Sequence, residues 1–210
     1  MLERIPRRER IDLVIAWLAI AIAFTIARFN LLGGGIDPVS ALFVFLVSLL
    51  TVGIGFVLHE LAHKFMAMRF GYWAEFRKDN QMLLIAVVLA ALAGVVFAAP
   101  GATVVYGDRI SKRENGLISA AGPAASLALA LGFLVLFLIS PGSVFGYIGL
   151  AGLQINAMIA AFNMLPVSVL DGRTVLGWNV VVFVVLIAAA FALTYVALTP
   201  GLLGQLSSLL

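Results

Sequence analysis

The chain has 210 residues, of which 63% are hydrophobic and 11% are charged. A soluble globular domain is about 45–50% apolar and about 25% charged, so this composition excludes an ordinary soluble domain and a disordered chain alike. The absence of cysteine excludes a disulfide scaffold, a thiolate metal site and a cysteine nucleophile. The chain has 13 Lys and Arg against 10 Asp and Glu. In a membrane protein such a surplus is explained by the enrichment of Lys and Arg in cytoplasmic loops. We therefore predict an all-α polytopic membrane protein that sits in a lipid bilayer and binds no nucleic acid.

Long apolar stretches with few charges predict the membrane helices in chain order. Residues 11–29 follow a basic leader and are expected to stay as a helix rather than be removed as a signal peptide. A glycine-rich hinge at 33–35 separates them from a second helix over 39–70. The later candidates are 82–100, 116–140, 146–170 and 174–198. We expect a single domain over 1–210 with about five to six membrane helices.

The second predicted helix carries the pattern H-E-x-x-H at His59, Glu60 and His63. Ionisable side chains inside a membrane segment cost about 2.5–3.5 kcal/mol each on insertion scales, so they indicate function. Residues four apart share one helix face, and both imidazoles can therefore bind one metal ion. Glu60, on the adjoining face, can accept a proton from an attacking water. The alternative is a pair of core histidines, which would need hydrogen-bond partners to offset their desolvation.

A catalytic zinc site usually has three protein ligands and one open position. With no third histidine and no cysteine in the chain, the third ligand must be a carboxylate. Asp171 directly follows an apolar helix, whereas the other carboxylates fall in the leader or in predicted loops, apart from Glu60, which is assigned as the base. Pro166 is expected to break that helix, and Gly172 to permit a tight turn after the aspartate. An ordinary loop turn is the alternative interpretation of Asp171, but elimination of the other carboxylates favours a metal ligand.

The side of the membrane on which Asp171 lies depends on residues 82–106. The basic leader predicts a cytoplasmic N-terminus, which places the histidines towards the cytoplasmic end of the second helix. A full crossing by 82–100 would put Asp171 on the opposite side from the histidines. We therefore predict that 82–106 is re-entrant, which also keeps every Lys and Arg except Arg28 on the cytoplasmic side. The returning part, 101–106, is rich in β-branched and aromatic residues and predicts a short membrane-embedded β element.

These motifs resemble the site-2 protease family of intramembrane zinc metalloproteases. The resemblance rests on the H-E-x-x-H motif, on N-x-x-P-x-x-x-L-D-G from Asn163 to Gly172, and more weakly on Gly122-Pro123 at the start of the intervening helix. It covers a catalytic core of about 39–176. It implies one zinc ion per chain, Glu60 as the general base and Asn163 as a group that helps to hold the substrate or the oxyanion. The implied zinc ligands are His59, His63 and Asp171.

The resemblance also implies the reaction and the partner. Members of this family cleave peptide bonds within or near the transmembrane segments of other membrane proteins, so a multi-pass protein of the cell membrane is expected. The chain looks like a minimal form with no room for a PDZ or CBS domain. The first alternative is a small metal-ion transporter or channel, although such proteins usually show internal repeats and none is found. The second is a non-catalytic membrane binding protein, which would not need Glu60.

Overall fold

The structure is a computed structural model that describes residues 5–29, 37–94, 96, 101–107, 109–199 and 201–204. Helices make up most of this part of the chain, together with one antiparallel pair of strands. The elements in chain order are α1 (Arg7–Phe29), α2 (Pro38–Arg69), β1 (Trp73–Lys78), α3 (Asn80–Ala93), β2 (Gly101–Tyr106), α4 (Lys112–Ile139), α5 (Val144–Asn163), α6 (Asp171–Trp178) and α7 (Val180–Leu198).

Five helices of the described residues, α1, α2, α4, α5 and α7, are long and apolar enough to cross a membrane. The prediction of an all-α polytopic membrane protein is therefore confirmed. Helix α3 has 14 residues and extends about 21 Å, which is shorter than a hydrocarbon core of about 30 Å. The predicted hinge at 33–35 lies outside the described residues.

The chain leaves the sheet at Lys78 and comes back to it at Gly101. These two residues are register partners in the antiparallel pair, whose other end joins Trp73 to Tyr106. The excursion through α3 thus starts and finishes at the same end of the strand pair. The predicted strand over Gly101–Tyr106 is confirmed. The re-entrant path of 82–106 through the membrane stays a prediction. Residues 95 and 97–100, within the predicted re-entrant segment, lie outside the described residues.

Local chemistry sets both ends of α3. The Asp79 side chain accepts hydrogen bonds from the backbone N–H groups of Gln81 and Met82, so it caps the helix N-terminus. The helix stops at Gly94, whose φ of +65° is a left-handed conformation that glycine adopts without a steric penalty. The sequence of α3 thus sets both of its ends and limits it to 14 residues.

Two predicted helix boundaries are wrong. Helix α5 ends at Asn163, not at 170. The break expected at Pro166 is confirmed, because proline disfavours helical backbone at Leu165 and has no N–H to continue the helix. The single helix predicted over 174–198 is broken at Asn179, whose φ of −149° and ψ of 110° are extended. The Asn179 side chain accepts hydrogen bonds from the N–H groups of Val181 and Val182, so it starts α7 as a separate helix.

The sheet is held on α2 by aromatic packing. Phe76 of β1 meets Phe56 of α2 edge to face, with ring centroids 5.4 Å apart. Both rings belong to a buried cluster that includes Ile20 of α1 and Ile159 of α5. This cluster places β1 and β2 beside the part of α2 that carries the histidine motif.

Candidate metal centre and active site

Two helices bring three potential ligand atoms together. His59 and His63 project from α2, and Asp171 is the first residue of α6. The two Nε2 atoms are 3.1 Å apart. Oδ2 of Asp171 lies 3.4 Å from Nε2 of His59 and 3.3 Å from Nε2 of His63. The structure therefore unites the three residues that the sequence predicts as ligands.

The size of this triangle fits one tetrahedral zinc ion. Zinc–ligand bonds of about 2.0–2.2 Å at the tetrahedral angle separate neighbouring ligand atoms by about 3.4 Å. The three sides of the observed triangle measure 3.1, 3.3 and 3.4 Å. Two imidazoles and one carboxylate are also a donor set that catalytic zinc accepts, with the fourth position left for water or substrate. The residues present thus fit the metal.

Helix α4 orients both imidazoles through their other ring nitrogen. Nδ1 of His63 lies 2.8 Å from the carbonyl oxygen of Ile118, which can only accept, so Nδ1 carries the proton and Nε2 keeps its lone pair. Nδ1 of His59 lies 2.9 Å from Oγ of Ser126. Such partners fix the tautomer and ring orientation of metal-binding histidines. Neither Ile118 nor Ser126 was identified from the sequence, because pairing between distant helices leaves no local pattern.

Gly122 of α4 lies directly against the two ligand nitrogens of the histidines. A Cβ atom at this position would overlap Nε2 of His63 and lie 2.6 Å from Nε2 of His59. The absence of a side chain here keeps open the space between the ligand atoms. Gly122-Pro123 was predicted at the start of its helix, but α4 begins at Lys112, so both residues lie well inside it.

The role predicted for Gly172 is wrong. Gly172 does not form a turn after Asp171 but lies in the first turn of α6. A Cβ atom there would overlap the carbonyl oxygen of Met164, just after the end of α5. The glycine is needed for close approach of α6 to that backbone, and this contact carries Asp171 to the histidines.

Glu60 lies beside the ligand triangle with only 8% of its surface exposed. Its Oε2 atom accepts a hydrogen bond of 2.8 Å from Oγ1 of Thr103 on β2. In the described part of the chain, its other oxygen, Oε1, has no hydrogen-bond partner. A buried carboxylate with one oxygen held and one oxygen free is suited to accept a proton. Thr103 was missed by the sequence analysis, which had predicted only the strand.

These groups line a cavity of about 160 Å³. Strand β2 forms one wall through Gly101, Ala102, Thr103 and Val105. Asn163, the predicted substrate-binding residue, also lines the cavity, and its Nδ2 donates to the Ile159 carbonyl of its own helix at 3.0 Å.

A lysine near the end of a membrane helix commonly extends its side chain towards the membrane surface, but Lys64 does not. Its side chain is fully buried, and Nζ donates to Oε2 of Glu9 at 2.6 Å and to the carbonyl oxygen of Ala74 at 2.7 Å. Oε1 of Glu9 accepts from the N–H of Phe76 at 3.1 Å. Residues two apart in a strand, such as Ala74 and Phe76, direct their backbone N–H and C=O groups to the same edge of the strand. The ion pair therefore occupies the edge of β1 that faces away from β2.

Fold and site together define a polytopic membrane protein with a candidate metal centre, in which an H-E-x-x-H motif is completed by a distant aspartate. The chain is 43% identical over 177 residues to MJ0611 of Methanocaldococcus jannaschii, covering 84% of this chain and 87% of that protein. It is 33% identical over 154 residues to Rip2 of Mycolicibacterium smegmatis, covering 65% of this chain and 58% of the relative. It is 28% identical over 151 residues to YwhC of Bacillus subtilis, covering 60% and 66%. All three relatives are provisionally named zinc metalloproteases.

No protein-family profile and no solved structure matches the chain. The similarity to MJ0611 extends over most of both proteins. A match over 177 of the 210 residues includes the H-E-x-x-H motif and Asp171. The chain belongs to the site-2 protease family.

Proposed function

We propose that this protein is an intramembrane zinc metalloprotease that hydrolyses peptide bonds within or near the transmembrane segments of other membrane proteins. The observation that carries the proposal is the convergence of His59, His63 and Asp171 on one point beside Glu60. The names of the relatives support zinc-dependent proteolysis. The basic leader and the five apolar helices support a place in the cell membrane with the N-terminus in the cytoplasm.

The chain's own residues divide the chemical work. His59, His63 and Asp171 would hold one zinc ion per chain, which when bound polarises the scissile carbonyl and activates water. Glu60 accepts the proton of the attacking water on Oε1 and delivers it to the leaving amine. Asn163, in the wall of the same cavity, holds the substrate.

The sheet supplies a place for an unwound substrate. A transmembrane helix keeps its carbonyl groups in intrahelical hydrogen bonds, so the helix must open before a peptide bond can be attacked. An extended segment can pair with an exposed strand edge, which satisfies its backbone groups. Because the Lys64–Glu9 pair occupies the outer edge of β1, we assign substrate pairing to the outer edge of β2, the strand that lines the cavity.

Glu60→Gln tests the proposal. The amide keeps the size of the side chain and leaves the three ligands intact, but it cannot accept the proton. Cleavage of single-span substrates in liposomes should fall by about 10²–10⁴-fold or more, while zinc content measured by elemental analysis stays at the wild-type value. Near wild-type cleavage by Glu60→Gln, with contaminating protease excluded, would show that the assigned role is wrong.

The wild-type protein in the same liposomes distinguishes a protease from a metal-ion transporter. Wild-type cleavage should stop when a chelator removes the metal and return when zinc is restored. If the wild-type protein instead cleaves no single-span substrate but moves zinc across the liposome membrane, the proposed function is wrong.

A further inference from the structure

Strand β2 brings one hydroxyl group to the carboxylate of Glu60. Oγ1 of Thr103 lies 2.8 Å from Oε2 of Glu60 and 3.3 Å from the Glu60 backbone oxygen. The shorter distance assigns the single hydroxyl proton to the carboxylate. In the described part of the chain, Thr103 is the only hydrogen-bond donor to the Glu60 side chain.

The packing of the strand pair fixes the position of this hydroxyl. Thr103 stands opposite Phe76 in the strand register, and Phe76 is 1% exposed and packs on Phe56 of α2. The Lys64–Glu9 pair holds the other edge of β1 to α2 and α1. The strand pair is therefore fixed on the helix that carries Glu60, and the distance between Thr103 and Glu60 follows from that packing.

We propose that Thr103 is a positioning residue for the general base. Its hydroxyl holds Oε2 of Glu60, so that Oε1 is the oxygen presented to the attacking water. A free Glu side chain loses rotamer freedom when it is ordered, and the hydrogen bond offsets this cost before the substrate arrives. The same strand lines the substrate cavity, so one rigid element aligns both the base and the peptide. The inference rests on the proposed function.

Two substitutions separate the hydroxyl from the shape of the side chain. Thr103→Val removes the hydroxyl and keeps the branched form, whereas Thr103→Ser keeps the hydroxyl. For Thr103→Val we expect kcat to fall by about 10- to 100-fold, the range for loss of a hydrogen bond to a charged group. KM, zinc content and melting temperature should stay near their wild-type values, and Thr103→Ser should restore most of kcat.

Thr51→Val is the matched control. It is the same substitution on α2, at a buried hydroxyl that bonds the carbonyl oxygen of Val47 at 2.8 Å. It should leave kcat unchanged. A wild-type kcat in Thr103→Val overturns the proposal, as does an equal loss in the Val and Ser variants. A raised KM with unchanged kcat would also overturn it, since it would assign Thr103 to substrate binding.

An infrared measurement tests the hydrogen bond without any substrate. The carboxylate band of Glu60 is identified as the band that disappears in Glu60→Gln. It should shift in Thr103→Val and stay in place in Thr103→Ser. An unshifted band in Thr103→Val would refute the inference even if the protein is a protease, and a shifted band would support it even if no cleavage were found.

Discussion

Lys64, the residue after the candidate ligand His63, forms an ion pair with Glu9 in the protein interior, and its Nζ atom lies 2.6 Å from Oε2 of Glu9. Each partner also binds the backbone of β1, Lys64 through the carbonyl of Ala74 and Glu9 through the N–H of Phe76. A neighbouring strand would satisfy these two groups in the same way, by accepting from one and donating to the other. The pair thus takes the place of a third strand and joins α1, α2 and the sheet.

We expect single changes in this pair to destabilise the protein strongly. Lys64→Met leaves Glu9 as a buried charge without its cation, and loss of one partner of a buried pair typically costs about 3–5 kcal/mol. Unfolding of the purified protein in mixed micelles measures the effect. Lys112→Met, the same substitution at an exposed position, is the control and should change stability by no more than about 0.5 kcal/mol.

The double variant Lys64→Met/Glu9→Leu shows whether the backbone contacts matter. Apolar replacement of a buried ion pair is often neutral or stabilising. Here it should remain destabilising, because the Ala74 carbonyl and the Phe76 N–H lose their partners, at about 1–3 kcal/mol for each buried group. A double variant as stable as the wild type would mean that the pair does not serve the strand edge.

The three candidate ligands should each be necessary for metal retention. His59→Ala, His63→Ala and Asp171→Ala should reduce zinc after dialysis to well below the one equivalent expected per chain, because two remaining ligands hold zinc poorly. Asp37→Ala, at the exposed N-cap of α2, is the control and should retain zinc. Full zinc content in Asp171→Ala would exclude Asp171 as the third ligand.

The parts of the site that could be predicted are those that follow from residue spacing and composition in the sequence itself. The spacing of His59 and His63 on one helix gives a shared face whatever the fold, and the scarcity of other ligand types left Asp171 as the third. The return of the chain through β2 followed from the need to bring these residues to one side. Each of these inferences uses spacing, composition or side of the membrane, which a single sequence contains.

The contacts that complete the site have no local cause. Thr103, Ser126 and Ile118 reach the H-E-x-x-H motif only through the packing of β2 and α4, and their residue types are ordinary in an apolar chain. The burial of Lys64 has no local cause either. A lysine near a helix end normally extends to water, and nothing near it in the sequence indicates that Glu9 lies opposite.

The prediction that 82–106 is re-entrant implies a specific labelling pattern in this cysteine-free chain. Single cysteines at Asn80 and at Lys112, on either side of the excursion through α3, should react with a membrane-impermeant maleimide from the same side of sealed vesicles. A cysteine at Pro141, beyond the span α4, should react only from the other side. Reaction of the Asn80 and Lys112 positions from opposite sides would mean that the segment spans the membrane.

The last prediction concerns the space that Gly122 leaves between the histidines. In most helices Gly→Ala stabilises the protein by about 0.5–1 kcal/mol, because glycine has the larger backbone entropy to lose. At Gly122 the added methyl group would overlap Nε2 of His63 and crowd Nε2 of His59, so the two rings must shift and the ligand triangle with Asp171 must change. Zinc content after dialysis should therefore fall well below one equivalent, although no ligand is removed.

Gly132→Ala supplies the matched control on the same helix. A Cβ atom there meets nothing within 4 Å, so zinc content should stay at the wild-type value and stability should stay equal or rise. Elemental analysis and unfolding in micelles, run on both variants together, separate metal loss from loss of the fold. Retention of one zinc per chain by Gly122→Ala after dialysis would mean that the metal does not need the space beside Gly122. The geometry assigned to the centre would then be wrong.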